Sequence, residues 1–220
     1  MKSKDEQIKK AVVDILYWDS RVDASDVDVE VKDGVVTLRG TVPSYAIKEA
    51  ALFDVWKIPG VKKVNNNSFV RFPTSAKTLS DSEIEMNITK QLGWNDSTRN
   101  ENIQVKVKKG EVTLEGHVDA YWKLFRARQL ASDVAGVVDI ENKLAVVPTE
   151  AVTDQVIATD IMNAVDRNYI VETEDVDVKV KDGIVTLSGE LPTRAACEAA
   201  LECAYNTYGV KGVKDRLHIK

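Results

Sequence analysis

A twelve-residue segment that the chain repeats three times constrains the fold more than any other feature. It runs Val29–Gly40 (VEVKDGVVTLRG), Val105–Gly116 (VKVKKGEVTLEG) and Val178–Gly189 (VKVKDGIVTLSG). A second glycine follows each turn glycine after 26 residues: Gly60 after Gly34, Gly136 after Gly110, Gly209 after Gly183. Self-similarity at a fixed period means one supersecondary unit used several times. The 220 residues hold three such units, each small but large enough to fold alone.

Each segment reads as a hairpin. Asp33-Gly34 and Asp182-Gly183 suit a two-residue turn in which both residues take positive φ, and Lys109-Gly110 is a weaker version. A turn at 33–34 sets Val31 opposite Val36 and Val29 opposite Leu38, so these four share one face. They should lie buried beneath helices, with Glu30, Lys32, Thr37 and Arg39 on the wet face.

Helices are expected on either side. Ser3–Glu6 and Ser80–Glu83 have the capping-box pattern, and Thr153-Asp154 is a plainer start. Behind them run Ile8/Val12/Leu16, Ile84/Ile88/Leu92 and Ile157/Ile161/Val165, each an i, i+4, i+8 stripe. After the hairpin comes a second helix with shared small positions at Ala51/Ala127/Ala200. The glycine landmark ends it, and a last alternating strand follows. The fold class is therefore α+β: three tandem αββαβ units, each with two helices packed on one face of a three-stranded mixed sheet. The expected domains are 4–72, 80–147 and 152–220. The linkers, about Arg71–Leu79 and Val147–Val152, carry Pro73 and Pro148 and should allow limited freedom between units.

The chain is 44% hydrophobic and 30% charged, with net charge −5. Lys/Arg against Asp/Glu number 12 and 11 in residues 1–73, 10 and 11 in 74–148, and 8 and 13 in 149–220. The acidity sits in the third unit, and no basic run favours nucleic acid. No stretch is long and apolar enough to span a membrane. The N-terminal residues lack the apolar core of a signal peptide, which points to the cytoplasm; had a leader been removed, the periplasm would be the expected place.

Catalytic patterns are absent, and the chain reads as no enzyme, with no cofactor. His117 and His218 occupy non-equivalent surface positions. Cys197 and Cys203, six apart on one helix, cannot bridge each other. Aromatic residues carry the main candidate surface. Trp18 and Trp94 end the first helices of units one and two, where unit three has Arg167. Tyr45 and Tyr121 begin the second helices, and Trp122 and Trp56 add to the edge. With Lys57, Lys62 and Lys63 they could meet lipid headgroups or a protein partner. The alternative is a cation site, such as potassium, on the acidic pre-strand loops: Asp23, Asp26 and Asp28 in unit one, Glu174, Asp175 and Asp177 in unit three.

The run Val-x-Val-x-Asp-Gly-x-Val-Thr-Leu-x-Gly, then a helix, then Pro59-Gly60-Val61-Lys62-x-Val64, resembles the BON domain, named for bacterial OsmY and nodulation proteins. The resemblance covers all three units, with Lys109 for the turn Asp in unit two and Tyr208 for the proline in unit three. It implies an OsmY-like αββαβ unit without enzymatic activity, associated with osmotic and envelope stress and with binding of phospholipid surfaces. In one cytoplasmic branch it implies potassium binding. It supplies no catalytic residues.

Overall fold

The computed structural model describes residues 3–19, 26–73 and 79–220. Its elements repeat in one order. Repeat one has α1 (Lys4–Trp18), β1 (Val27–Lys32), β2 (Val35–Val42), α2 (Tyr45–Trp56) and β3 (Lys63–Val70). Repeat two has α3 (Asp81–Trp94), β4 (Asn102–Lys108), β5 (Glu111–Val118), α4 (Trp122–Ser132) and β6 (Asp139–Val146). Repeat three has α5 (Asp154–Asp166), a 3-10 turn (Thr173–Asp175), β7 (Asp177–Lys181), β8 (Ile184–Leu191), α6 (Arg194–Tyr205) and β9 (Gly212–Ile219). The three sheets have the orders β1-β2-β3, β4-β5-β6 and β7-β8-β9. By compactness the chain forms two units, Met1–Ile88 with Lys106–Val112 and Ala131–Glu141, and the remainder. Repeat one lies wholly in the first and repeat three wholly in the second, and each is described by itself.

In repeat one, β1 and β2 pair antiparallel with Val31 opposite Val36 and Val29 opposite Leu38, the expected register. Asp33 and Gly34 take φ of 54° and 80°, as the tight turn demands. The chain then crosses through α2 so that β3 pairs parallel to β2, giving a mixed sheet. Ile8, Val12 and Leu16 of α1 pack with Val36, Leu38, Ala51, Val55, Ile58 and Val61 into one core. Val36 and Leu38 are fully buried, but Val29 and Val31 are only half-buried. The expectation of equal burial fails because β1 is an edge strand, and the helices cover the central strand first.

Repeat three follows the same plan. Val180 faces Val185, Val178 faces Leu187, and β9 runs parallel to β8. Its core joins Ile157, Ile161 and Val165 to Val185, Leu187, Leu191 and the small face of α6, Ala196, Ala200 and Ala204. Alanines on that face let α6 sit close to its neighbours. Gly189 marks where the hairpin leaves no room: at φ 148°, an added Cβ would stand 1.9 Å from the Asp175 carbonyl oxygen.

The helix starts behave as read. Ser3 accepts from the Glu6 amide while Glu6 accepts from the Ser3 amide. Ser80 and Glu83 exchange the same pair, and Thr153 accepts from the Val156 amide. Each satisfies amides that the first helical turn leaves open.

The linker at Val147–Val152 is tied more firmly than its composition suggests. The Tyr208 hydroxyl lies 2.8 Å from Thr149 Oγ1 and accepts the Glu150 amide at 2.8 Å. Tyr205 of α6 stacks on Tyr121 with ring centroids 5.4 Å apart, and Phe125 of α4 meets the same ring at 5.0 Å. These contacts join repeat three to the α4 end of repeat two. Of the first linker, residues 74–78 lie outside the described set.

Candidate functional site

Each first helix ends beside a large aromatic residue held in solvent. Trp18 closes α1 and is 80% exposed, Trp94 closes α3 and is 82% exposed, and Tyr169 follows α5 at 96% exposed. Residues 18, 94 and 167 are equivalent, so the third repeat offers its ring two positions later, beyond Arg167. The Trp18 ring is buttressed edge-on by exposed Tyr17 at 5.5 Å. An apolar ring left this open is solvated at a cost, and its place at a helix end gives it reach beyond the packed body. Trp18 and Trp94 are therefore where the sequence reading set them, and Tyr169 is an addition it missed because equivalence pointed to Arg167.

Other residues expected on that surface stand differently. Tyr45 is 2% exposed and belongs to the interior, so it has no face to offer a bilayer or a partner. Its position opens α2, where the helix turns inward over the sheet. Tyr121 is half-buried against Tyr205 and Phe125. Trp122 is half-buried too, with Lys123 Nζ 5.9 Å from its ring centre. Trp56 is half-buried on the repeat-one core. Lys57 does lie at an exposed edge, but its ammonium pairs with the buried Asp54 at 2.7 Å. It also sits 4.3 Å over the exposed Phe53 ring. Lys62 and Lys63 are exposed. Phe53 is the apolar part of this edge that sequence reasoning passed over.

Among the described residues, the acidic-loop carboxylates stand apart from one another. Asp23 lies outside the described residues. Asp26 and Asp28 are exposed, and Glu174 is exposed. Asp175 is chelated by Lys220 Nζ at 2.9 and 3.0 Å, and Asp177 pairs with Lys179 at 2.9 Å. Among the described residues no three His, Cys, Asp or Glu side chains converge as a metal would require. Asp175 and Asp177 are engaged by the protein's own lysines.

A second set of carboxylates holds the hairpin turns. Asp5, in the first turn of α1, accepts the amides of Asp33 and Gly34 at 2.8 and 3.0 Å. Asp81 does the same for Lys109 and Gly110 at 2.8 and 2.9 Å, and Asp154 for Asp182 and Gly183 at 2.8 and 2.9 Å. Lys109 holds φ of 54°, a strained value for lysine, under this clamp. A signal was present: an Asp stands 28 residues before each turn residue in all three repeats.

A groove of about 510 Å³ runs along α4 and α6, lined by Trp122, Phe125, Arg194, Leu201 and Tyr205 among others. Arg194 and Glu198 pair across its rim at 3.1 Å. Burial, with Tyr121 adding to it, pushes the Tyr205 phenol up to about 12. Burial likewise pushes the Cys197 and Cys203 thiols up, and both are unbridged, so neither is poised as a nucleophile. In repeat two, Lys123 is held between Glu101 and Asp119. Burial alone would lower its ammonium, but the Asp119 and Glu101 carboxylates that accept from it outweigh burial and raise it. No helix among the described residues is long and apolar enough to cross a membrane.

Comparison with known proteins gives one family. The family described as BON domain matches residues 4–70, 80–148 and 153–220. The Osmotically-inducible protein Y of Escherichia coli strain K12 is 29% identical over 148 residues, spanning 64% of this chain and 74% of that protein. Among solved structures, CdsD, a structural protein of the type III secretion system of Chlamydia trachomatis, is 14% identical with a TM-score of 0.27. The match covers 97% of this chain and 92% of that one. At that score the likeness carries nothing further.

Proposed function

The chain belongs to the BON-domain family, in three tandem copies, and on that premise we propose a non-enzymatic binding protein of the osmotic stress response that attaches to phospholipid surfaces. The stress context rests on the likeness to the Osmotically-inducible protein Y. The surface reading rests on one observation: Trp18, Trp94 and Tyr169 stand almost fully in solvent beside the ends of equivalent helices. Tryptophan and tyrosine gain at a headgroup interface, where the ring leaves water while its polar atom stays hydrated. Three weak contacts on one chain act together through their effective concentration. With net charge −5 the chain is not drawn to anionic lipid by charge as a whole, so the rings supply the attachment. Tryptophan emission tests this: on adding phosphatidylglycerol vesicles it shifts to the blue, and replacing Trp18 and Trp94 by serine abolishes the shift. Unchanged emission with vesicles of any composition rejects the lipid reading.

A further inference from the structure

The third repeat is the most acidic part of the chain, yet its open sheet face is basic. The register places Lys179, Thr186 and Lys214 in one row across the three strands, and Asp177, Ser188 and Arg216 in the next. Lys181 flanks the first row, and His218 lies opposite Glu190 beyond the second. All of Lys179, Lys181, Lys214, Arg216 and His218 are exposed. Asp177 neutralises Lys179. Among the described residues, Lys181, Lys214 and Arg216 have no ion pair.

The same face of repeat one is built otherwise. Glu30 stands where Lys179 does and pairs with Arg39 at 2.9 Å, and Asn65 and Asn67 replace Lys214 and Arg216. Repeat three therefore collects its cations on the sheet and leaves its excess of carboxylates elsewhere. Like charges on neighbouring positions repel, and a bound anion relieves that repulsion.

We propose that this face binds an acidic polypeptide segment in extended conformation. Strand spacing sets the match. Lys214 and Arg216, like Lys179 and Lys181, are two residues apart on one strand, about 6.7 Å, which is the repeat of alternate side chains on an extended acidic peptide. Lys181 on β7 and Lys214 on β9 stand on opposite sides of β8, two strand spacings or about 10 Å across, so a peptide laid over β8 has an unpaired cation on each flank. Thr186 and Ser188, between the rows, offer hydroxyl donors. The face carries no aromatic ring for base stacking, which sets it apart from single-strand nucleic-acid platforms. The proposal is independent of the lipid reading, which uses the helix-end rings.

The test uses the full chain and a fluorescein-labelled twelve-residue peptide of alternating glutamate and threonine, read by fluorescence anisotropy at low and moderate salt. The peptide binds, and added salt weakens it. Lys214→Glu with Arg216→Glu weakens binding about tenfold or more, while Lys9→Glu with Lys10→Glu, exposed on α1, changes it less than about twofold. The milder Lys214→Gln with Arg216→Gln gives an intermediate loss, and circular dichroism checks the fold of each. No binding at low salt overturns the proposal, as does equal loss in both pairs. Tighter binding of a twelve-nucleotide oligothymidylate or of phosphatidylglycerol vesicles through Lys214 and Arg216 also overturns it, assigning the face to that ligand.

Discussion

The Asp154 carboxylate accepts the Gly183 amide at 2.9 Å across 29 residues of chain, while its other oxygen accepts the Asp182 amide at 2.8 Å. One side chain in the first turn of a helix thus fixes the hairpin turn it packs beside. Asp5 and Asp81 repeat the arrangement. Replacing Asp154 by alanine leaves two turn amides without their charged acceptor and should cost about 2 kcal/mol, whereas Asp154→Asn, keeping one acceptor oxygen, costs less. Urea unfolding of the two variants measures the difference; equal stability of wild type and Asp154→Ala would remove the clamp from the account.

Gly189 is the tightest backbone approach in repeat three, with an added Cβ only 1.9 Å from the Asp175 carbonyl. Gly189→Ala should cost at least about 2 kcal/mol, because positive φ and the clash act together. Gly93, which has open space around it, is the control: as a helical position, Gly93→Ala should be neutral or stabilising by about 1 kcal/mol. Thermal melts of both variants check the contrast.

Lys123 links α4 to the loop before β4 through Glu101 and to the helix start through Asp119. Its ammonium is raised above the ordinary lysine range, so its contribution is full below the unfolded lysine value and is lost as pH rises through the folded value. Lys123→Met should cost roughly 2–3 kcal/mol at neutral pH, since two carboxylates lose their partner. That penalty shrinks in strongly alkaline solution, as urea titrations at several pH values would record.

Tyr205 ties repeat three to α4, and its phenol is pushed to about 12. The sign follows: the unfolded phenol ionises near 10, so the stability carried by neutral Tyr205 is present below that pH and lost between about 10 and 12. Absorbance titration at the phenolate band should show a late-ionising step near pH 12. In Tyr205→Phe that step loses the amplitude of one tyrosine.

Most of the fold was readable because its determinants are local. The period of two in Val29–Leu38, the Asp33-Gly34 turn and the Ile8/Val12/Leu16 stripe each follow from residues close in sequence. They return the observed register and core. What was not readable depends on contacts between distant elements. Val29 and Val31 share a face with Leu38, but alternation does not say that their strand lies at an edge. Tyr45 has the same repeat position as Tyr121 and Arg194, and only the packing of α2 shows that it is interior. Trp18 and Trp94 were legible as helix-end aromatics. Tyr169 was not, because strict equivalence landed on Arg167, and the Tyr208 bonds to Thr149 and Glu150 cross 58 residues or more.

Flotation with vesicles tests the central claim most directly. The wild-type chain, mixed with phosphatidylglycerol-rich vesicles at moderate salt, should rise with the lipid. A variant with serine at Trp18, Trp94 and Tyr169, unchanged by circular dichroism, should stay at the bottom. A triple variant that floats as well as wild type, or a wild-type chain that never floats, would contradict the account.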